Sequence, residues 1–300
     1  METLNNCPVC KHDRSNLFIS CTDHTVSRET FQVVQCEACG FRFTNPRPAE
    51  SEIGKYYESE EYISHSGTTK GLVNKIYGIV RNYTIGQKLK LINRLTSSHK
   101  PGGRSILDIG CGTGEFLYAS KQNDWNVTGI EPSEPARKHA RENFGIDPIL
   151  PEGLYNLKEK QFDVITMWHV LEHVHKLDQT IEQINKILAD TGILVVAVPN
   201  CNSYDAEKYG AHWAAWDLPR HLYHFTKNDV EKLFGRFRFK LYEVHPMKFD
   251  SYYVSMLSEK YKNKSSNLLA GFFSGLISNL SAKNNSRGYS SQIYIFNKYK

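Results

Sequence analysis

A glycine-rich segment around residue 110 constrains the fold of this chain more than any other feature. An apolar run from Ile106 to Ile109 leads into three alternating glycines, and a helical stretch begins at Glu115. Alternating glycines let the backbone turn tightly and let a ligand approach main-chain atoms that side chains would otherwise cover. The helix that follows presents free N–H groups at its start. The segment therefore predicts a strand, a ligand-binding turn and a helix in succession.

Strands and helices alternate on the carboxyl side of this turn. The predicted strands are Ser105–Ile109, Asn126–Glu131, Phe162–Trp168, Ile193–Val198, Lys240–His245 and Gln292–Phe296. The predicted helices between the first four strands are Glu115–Gln122, Glu134–Asn143 and Asp178–Leu188. Such alternation implies parallel strands in a layered α/β sheet.

Acidic residues near the glycines distinguish the expected ligand from a dinucleotide. The nicotinamide fingerprint is GxGxxG, whereas this chain has GxGxG with Glu115 at the place of the third glycine. Asp108 precedes the turn, where a carboxylate would repel a pyrophosphate but attract the ammonium of a methionine moiety. Glu131 ends the next predicted strand and can accept hydrogen bonds from ribose hydroxyls. These charges favour S-adenosylmethionine.

With these residues identified, the chain resembles the class I S-adenosylmethionine-dependent methyltransferases. Leu107–Gly114 is similar to the first motif of that family, Gly129–Ser133 to the second, and Trp168–Val174 to the segment after the fourth strand. The resemblance covers roughly residues 70–245 and implies a Rossmann-like, seven-stranded α/β sheet.

The same resemblance implies a set of cofactor-binding residues. They are Asp108, Gly110, Cys111, Gly112 and Gly114 for the methionine part, Glu131 with Pro132 at the ribose, Leu154 at the adenine, and Trp168 beside the sulfonium.

Two CxxC pairs near the start of the chain predict a metal site. They supply Cys7, Cys10, Cys36 and Cys39. Four thiolates give tetrahedral zinc with no open position, so this zinc would be structural. A redox role for one pair would not explain the other. Cysteines grouped in this way indicate a reducing compartment, and we expect a cytoplasmic protein.

The cysteine module and the composition changes divide the chain into three parts. We predict a zinc ribbon at 1–48, a helical linker or lid at 49–100, and the methyltransferase domain at 101–300 with an acceptor lid at 200–225 and a helical insertion at 250–288. The ribbon resembles the zinc-binding module of sugar C-methyltransferases. Those proteins carry a further C-terminal domain for which this chain is too short, and this difference argues against C-methylation of a nucleotide sugar.

Histidines in the lid are candidates for activating an acceptor. A hydroxyl acceptor must lose a proton during methyl transfer, and histidine suits that role at neutral pH. We expect His221 to be the base, with His169 next and His224 a third candidate; packing is the alternative role for each. Arg220 could bind an anionic acceptor. The tyrosine-rich segment 56–65 could form a second lid or only join two domains.

The predicted function is O-methylation of a sugar, a glycolipid precursor or a related small molecule. The alternatives are C- or N-methylation of a related metabolite, and methylation of an RNA or protein that the ribbon recognises. The net charge is only +5 and the ribbon has no excess of either sign, so a nucleic-acid partner is not expected. The apolar stretch 268–280 could contact a membrane surface, although such a stretch more often packs on its own domain. The sequence gives no indication of the oligomeric state.

Overall fold

Two β-sheets and eight α-helices make up the described part of the chain. The computed structural model describes residues 1–58, 72–96, 104–263, 267–284 and 287–299. The strands are β1 Ser15–Thr22, β2 Thr30–Cys36, β3 Arg42–Thr44, β4 Arg104–Ile109, β5 Trp125–Ile130, β6 Phe162–Trp168, β7 Leu188–Pro199, β8 Tyr223–His224, β9 Phe239–Pro246 and β10 Ser291–Lys298. The helices are α1 Leu72–Leu95, α2 Glu115–Lys121, α3 Glu134–Phe144, α4 Leu177–Ile187, α5 Tyr204–Tyr209, α6 Lys227–Gly235, α7 Asp250–Asn263 and α8 Leu268–Asn284.

The larger sheet has the strand order β5-β4-β6-β7-β10-β9. The first four of these strands are parallel, and β10 runs antiparallel to both β7 and β9. The central strands are almost continuously apolar because helices cover both faces of a parallel sheet. The α/β fold with a mostly parallel central sheet, predicted from the alternation of elements, is confirmed.

The sheet has six strands where seven were expected. At the outer edge of β5, Ile149 forms only an isolated parallel bridge with Ile130. Pro148 and Pro151 flank this position, and neither has a backbone N–H for a ladder. The prolines therefore prevent a full seventh strand at this edge, where one residue bridges to β5.

The starts of the helices follow local sequence signals. Ser133 caps α3 by accepting a hydrogen bond from the N–H of Ala136. Thr226 caps α6, and Asp229 completes a reciprocal capping box.

The smaller sheet joins the N-terminal module to the predicted lid. Its order is β1-β2-β3-β8, and β8 lies within residues 200–225. Phe43 of β3 pairs with Tyr223 of β8, and Phe41 packs against Phe225. Val34 and Phe41 also belong to the same hydrophobic cluster as the strands of the larger sheet. Residues 1–48 therefore share their core with the α/β domain.

Helices α7 and α8 occupy the predicted insertion and pack on each other. A Cβ built on Gly271 or Gly275 would lie within 2.7 Å of the α7 backbone, so these glycines allow the close approach. The opposite face of α8 is exposed and apolar. It comprises Leu268, Leu269, Phe272, Phe273, Ile277 and Leu280. None of the described helices is long and apolar enough to cross a membrane.

Candidate cofactor and acceptor site

The glycine turn between β4 and α2 adopts a backbone conformation that favours glycine. Gly110, Gly112 and Gly114 have φ angles of 73°, 55° and 88°. A Cβ on Gly110 would lie 2.4 Å from Cγ2 of Val170, whereas a Cβ on Gly112 would meet nothing within 4 Å. Gly110 is therefore required for packing, and Gly112 presents an open main-chain surface.

The carboxylate of Glu131 holds this turn against the end of β5. Its Oε2 accepts a hydrogen bond of 2.8 Å from the N–H of Gly112, and its Oε1 accepts one of 2.9 Å from the N–H of Ser133. Burial raises the pKa of Glu131, while the two N–H donors act in the opposite direction. Each carboxylate oxygen keeps one further lone pair that can accept a hydrogen bond from a ligand hydroxyl.

The carboxyl group of Asp108 lies at the end of β4 and is almost fully buried. It accepts a hydrogen bond of 2.6 Å from the hydroxyl of Thr166 on β6. Burial raises its pKa to about 7, against the opposing effects of this hydrogen bond and of the Lys88 ammonium. A ligand cation beside Asp108 would favour its ionised form.

Trp168 ends β6 and forms an aromatic wall of the same site. Its ring packs edge-on against Phe116, with the centroids 5.7 Å apart. The Nζ of Lys88 on α1 lies 4.2 Å from the Trp168 ring centroid. The indole N–H is buried and has no hydrogen-bond partner within the described residues. A buried donor of this kind is usually paired, so a ligand acceptor would suit it.

Three other predicted cofactor residues differ in exposure. Leu154 is buried and belongs to the hydrophobic cluster on the larger sheet. Pro132 is exposed directly after Glu131. Cys111 is buried in the turn, where burial raises its thiol pKa.

His169 lies between two carboxylates. Its Nε2 is 2.9 Å from Oδ2 of Asp250, and its Nδ1 is 3.4 Å from Oε1 of Glu172. Burial alone would lower the pKa of His169, but these carboxylates outweigh burial and raise it to about 10. The ring is therefore an imidazolium near neutral pH. A protonated ring cannot accept the proton of an acceptor, contrary to the base role predicted for His169.

His224 and Arg220 of the lid are structural in their contacts. His224 is buried, with its ring centroid 4.9 Å from that of Trp216, and burial keeps its pKa well below the usual value. Arg220 is 3% exposed and its guanidinium binds the carboxylate of Asp217 at 2.5 Å and the carbonyl of Tyr56 at 2.8 Å. The predicted contact of Arg220 with an anionic acceptor is therefore not available in this arrangement.

Of the predicted bases, His221 has a ring nitrogen that is available to an acceptor molecule. Its Nδ1 donates to the carbonyl oxygen of Ala215 at 2.8 Å. Its Nε2 is 3.9 Å from Oδ2 of Asp217. The ring of His173 packs edge-on against it, with the centroids 4.7 Å apart. The structure thus brings His221 together with residues that follow β6.

The four cysteines of the two CxxC pairs converge. Sγ of Cys7 lies 3.6 Å from Sγ of Cys39, and Sγ of Cys10 lies 3.5 Å from Sγ of Cys36. Four thiolates about 2.3 Å from one zinc ion would be about 3.8 Å apart, so these positions fit tetrahedral coordination. Gly40, with a φ of 77°, donates its N–H to the carbonyl of Cys36 and closes the second knuckle.

A family model described as a methyltransferase domain matches residues 80–244, which is more than half of the chain. The chain belongs to this methyltransferase family. The match runs from α1 to β9 and includes the glycine turn, β6 and the lid. The family predicted from the three motifs is confirmed.

Curated relatives of this methyltransferase include ubiquinone biosynthesis O-methyltransferases. The protein of Pelagibacter ubique (strain HTCC1062) is 31% identical over 179 residues, which are 57% of this chain and 74% of that protein. The protein of Actinobacillus pleuropneumoniae serotype 5b (strain L20) is 33% identical over 138 residues, which are 42% of this chain and 59% of that protein. This chain thus spans less than two thirds of the length of the second relative.

Solved structures share the fold at low sequence identity. The magnesium protoporphyrin IX methyltransferase of Synechocystis PCC 6803 with bound SAH has a TM-score of 0.53 at 14% identity, covering 82% of this chain and 98% of that one. The phosphoethanolamine N-methyltransferase 2 of Haemonchus contortus, in complex with phosphomonomethylethanolamine and S-adenosylhomocysteine, has a TM-score of 0.54 at 15% identity. It covers 86% of this chain and 63% of that one. These likenesses concern the fold alone.

Two residues of the methyltransferase site were missed at the sequence level. Lys88 lies three residues after Ile85 and four before Ile92. This spacing places it on the apolar face of α1 and could have been recognised from the sequence. Glu172 is fully buried beside His169 and His173. Its burial depends on tertiary packing, and no local pattern shows it.

Proposed function

We propose that this methyltransferase transfers a methyl group from S-adenosylmethionine to an oxygen atom of a small-molecule acceptor. The observation that carries the proposal is the open main-chain surface at Gly112, whose N–H bonds to the carboxylate of Glu131 and whose turn follows Asp108. This combination suits a ligand with one cationic end and one hydroxyl-bearing end. S-adenosylmethionine has both.

The residues present fit that cofactor from end to end. Asp108 would face the ammonium of the methionine part, and the Lys88 ammonium would be available to the carboxylate of that same methionine part. Glu131 would accept hydrogen bonds from the ribose hydroxyls. The Trp168 ring would lie beside the sulfonium, where an aromatic face attracts a cation. When bound, the cofactor supplies an electrophilic methyl group, and the chain has to align an acceptor oxygen with it.

Oxygen is the acceptor atom that the relatives favour. Both of the relatives described above are named as O-methyltransferases of ubiquinone biosynthesis. We extend the atom to this chain, and we leave the acceptor class to experiment. The sugar or glycolipid acceptor predicted from the sequence stays a prediction.

We place the acceptor at the His221 end of the lid. His221 and His173 lie close to Glu172, which contacts His169 next to Trp168. An acceptor bound there would be adjacent to the methyl donor. His224 is packed away from this region and His169 is protonated, so the activating group belongs to the His221 cluster.

The cysteine module has a supporting role in this proposal. A structural zinc would fix β2 and β3, and β3 pairs with β8, which begins two residues after His221. Recognition of a nucleic acid by the module has little support. The guanidinium of Arg42 contacts the carbonyl of Cys201, and that of Arg47 is buried against Glu2 and Tyr223.

The exposed apolar face of α8 favours contact with a membrane surface over packing on its own domain, which was the commoner role expected for residues 268–280. Lys283 in the last turn and Lys260 and Lys262 at the end of α7 supply neighbouring positive charge. Sedimentation with anionic vesicles would measure binding to the membrane surface, and Phe272→Ser and Phe273→Ser are the variants to compare with wild type. Equal recovery of variant and wild type in the vesicle fraction would contradict the contact.

Two measurements test the enzymatic proposal. Calorimetry should detect binding of S-adenosylmethionine that is strongly weakened in Asp108→Ala and Glu131→Ala. Radiolabelled methyl donor should then label a hydroxyl-bearing acceptor from a panel of phenolic, sugar and lipid-linked compounds. Unchanged affinity in both variants would refute the cofactor site, and methylation of nitrogen or carbon alone would refute the choice of oxygen.

A further inference from the structure

A second group of metal-ligating side chains lies outside the four cysteines. The carboxylate of Glu172 and the imidazoles of His173 and His221 each bring one ligand atom within 4.8 Å of the others. We propose that these three residues, the Glu-His-His cluster, bind a divalent transition-metal ion. Residues 172–173 follow β6 and His221 belongs to the lid, so the ion would join the two segments.

The hydrogen bonds of the two imidazoles orient the lone pairs required for a metal. Nδ1 of His221 lies 2.8 Å from the carbonyl oxygen of Ala215, and Nδ1 of His173 lies 3.0 Å from the carbonyl oxygen of Arg220. A carbonyl oxygen only accepts, so both Nδ1 atoms carry a hydrogen, and in the neutral imidazole the lone pair is therefore on Nε2 of each ring. The hydroxyl of Tyr57, 2.9 Å from Nδ1 of His173, then shares that hydrogen as a second acceptor. Imidazoles that ligate metals are commonly fixed in this way by backbone carbonyls.

The carboxylate of Glu172 lacks the partners that a buried anion requires. Glu172 is 0% exposed, and neither of its carboxylate oxygens accepts a hydrogen bond from the described residues. Among the described residues, its ion-pair contact is Nδ1 of His169 at 3.4 Å. A buried anion with so few partners is costly, and a cation would offset that cost.

The donor set selects the class of metal. Two imidazole nitrogens and one carboxylate oxygen suit Zn²⁺, Fe²⁺ or Mn²⁺ better than Ca²⁺ or Mg²⁺, which prefer oxygen ligands. Ligands about 2.1 Å from a common ion are about 3 to 3.5 Å apart, so modest rotation of these side chains would close the site. Three protein ligands leave coordination positions open, as in catalytic rather than structural metal sites.

The open positions give the ion a consequence for the acceptor, and this step alone rests on the proposed function. A hydroxyl oxygen bound to a divalent ion has a lowered pKa and is more readily deprotonated. His221 would then act on the acceptor through the metal, and the acceptor proton would pass to water, because the Nε2 lone pair of His221 is shared with the ion.

Zinc content tests the cluster without any activity measurement. The whole chain is saturated with Zn²⁺, loosely bound metal is removed by gel filtration, and zinc is counted per chain. We expect Glu172→Gln and His221→Ala each to retain about one zinc fewer than wild type. His175→Ala is the matched control, because His175 lies in the same segment but bonds to the carbonyl of Pro48 outside the cluster. It should retain the wild-type amount.

A spectrum assigns the second ion to nitrogen and oxygen ligands. Co²⁺ added after the cysteine site has been filled with zinc should give visible absorption without thiolate charge-transfer bands, and Glu172→Gln should remove that absorption. Glu172→Gln preserves the shape of the side chain, and melting curves establish that the variant is folded.

The proposal is overturned if folded Glu172→Gln and His221→Ala both hold as much zinc as wild type, or if Co²⁺ gives no second spectrum. A chain that binds the second ion but methylates no acceptor would contradict only the proposed function.

Discussion

Alanine substitutions at two glycines of the turn separate packing from cofactor binding. Gly110 and Gly112 both have positive φ angles, so alanine is strained at either position. They differ in surroundings: a Cβ at Gly110 would overlap Cγ2 of Val170 at 2.4 Å, whereas a Cβ at Gly112 would enter open space. Gly110→Ala should therefore damage the fold, and Gly112→Ala should damage the cofactor surface.

The expected losses follow from these contacts. Left-handed alanine costs about 1–2 kcal/mol at either position. The overlap with Val170 adds about 1–3 kcal/mol at Gly110 only. We therefore expect Gly110→Ala to lower the free energy of unfolding by about 2–5 kcal/mol, and Gly112→Ala by about 1–2 kcal/mol. The new methyl group at Gly112 should also weaken S-adenosylmethionine binding at least tenfold, or about 1.4 kcal/mol.

Urea denaturation measures the first quantity and titration calorimetry the second. Gly145→Ala is the matched control, because Gly145 has a φ of 60° and open space at its Cβ but lies at the end of α3. It should lose stability as Gly112→Ala does and bind the cofactor as wild type does. Val170→Ala in the Gly110→Ala background should recover part of the overlap cost in a double-mutant cycle.

The reasoning is refuted if Gly112→Ala binds S-adenosylmethionine with wild-type affinity. In that case the open surface at Gly112 would not face the cofactor. Equal destabilisation by Gly110→Ala and Gly112→Ala would instead refute the packing role given to Val170.

Three further predictions concern other parts of the molecule. The pKa of Asp108 is raised to about 7, and a ligand ammonium favours the carboxylate; cofactor affinity should therefore fall about tenfold per pH unit below pH 7 and level off above it. Calorimetry in Asp108→Asn should show weak binding with a flat profile, and an unchanged slope would contradict the assignment. Cys36→Ser should hold about one zinc fewer than wild type in metal analysis, while Cys21→Ser, which changes a buried cysteine outside the cluster, should hold the wild-type amount; a zinc content in Cys36→Ser equal to that of wild type would exclude the four-cysteine site. His221→Ala should lower turnover by a factor on the order of 10²–10⁴ with little change in cofactor affinity, and full activity would clear His221 of any role.

The α/β domain was predictable because its signals are local. Strand β6 coincides with the predicted Phe162–Trp168, and α3 extends one residue beyond the predicted Glu134–Asn143. Apolar runs, helix caps and glycines of positive φ each act within a few residues. Strand β7 begins five residues before its predicted start, because Asp190, Thr191 and Gly192 near its beginning show no strand pattern.

The acceptor side was less predictable because its chemistry depends on distant partners. His169 was expected to act as a base, but its protonation depends on Asp250, eighty-one residues later in the chain. Arg220 was expected to meet a ligand, but it lies against Asp23 of the N-terminal module. The sequence identifies such residues as candidates, and only the packing decides which of them keep a free lone pair or charge.

The pairing of β3 with β8 explains why a small cysteine module accompanies this methyltransferase domain. Thr44 at the end of β3 donates its hydroxyl hydrogen to the carbonyl of His221 at 2.6 Å and donates its N–H to the carbonyl of Leu222. The backbone of His221 is thus fixed by the module on one side, while its ring bonds to Ala215 of the lid on the other. A module of this size buries little apolar surface alone, so metal binding would supply the rigidity that β3 passes on to His221. Loss of the four-cysteine site should therefore disturb the acceptor side of the site more than the cofactor turn. The conformation of that turn is held by β4, β5 and Glu131, independently of the module.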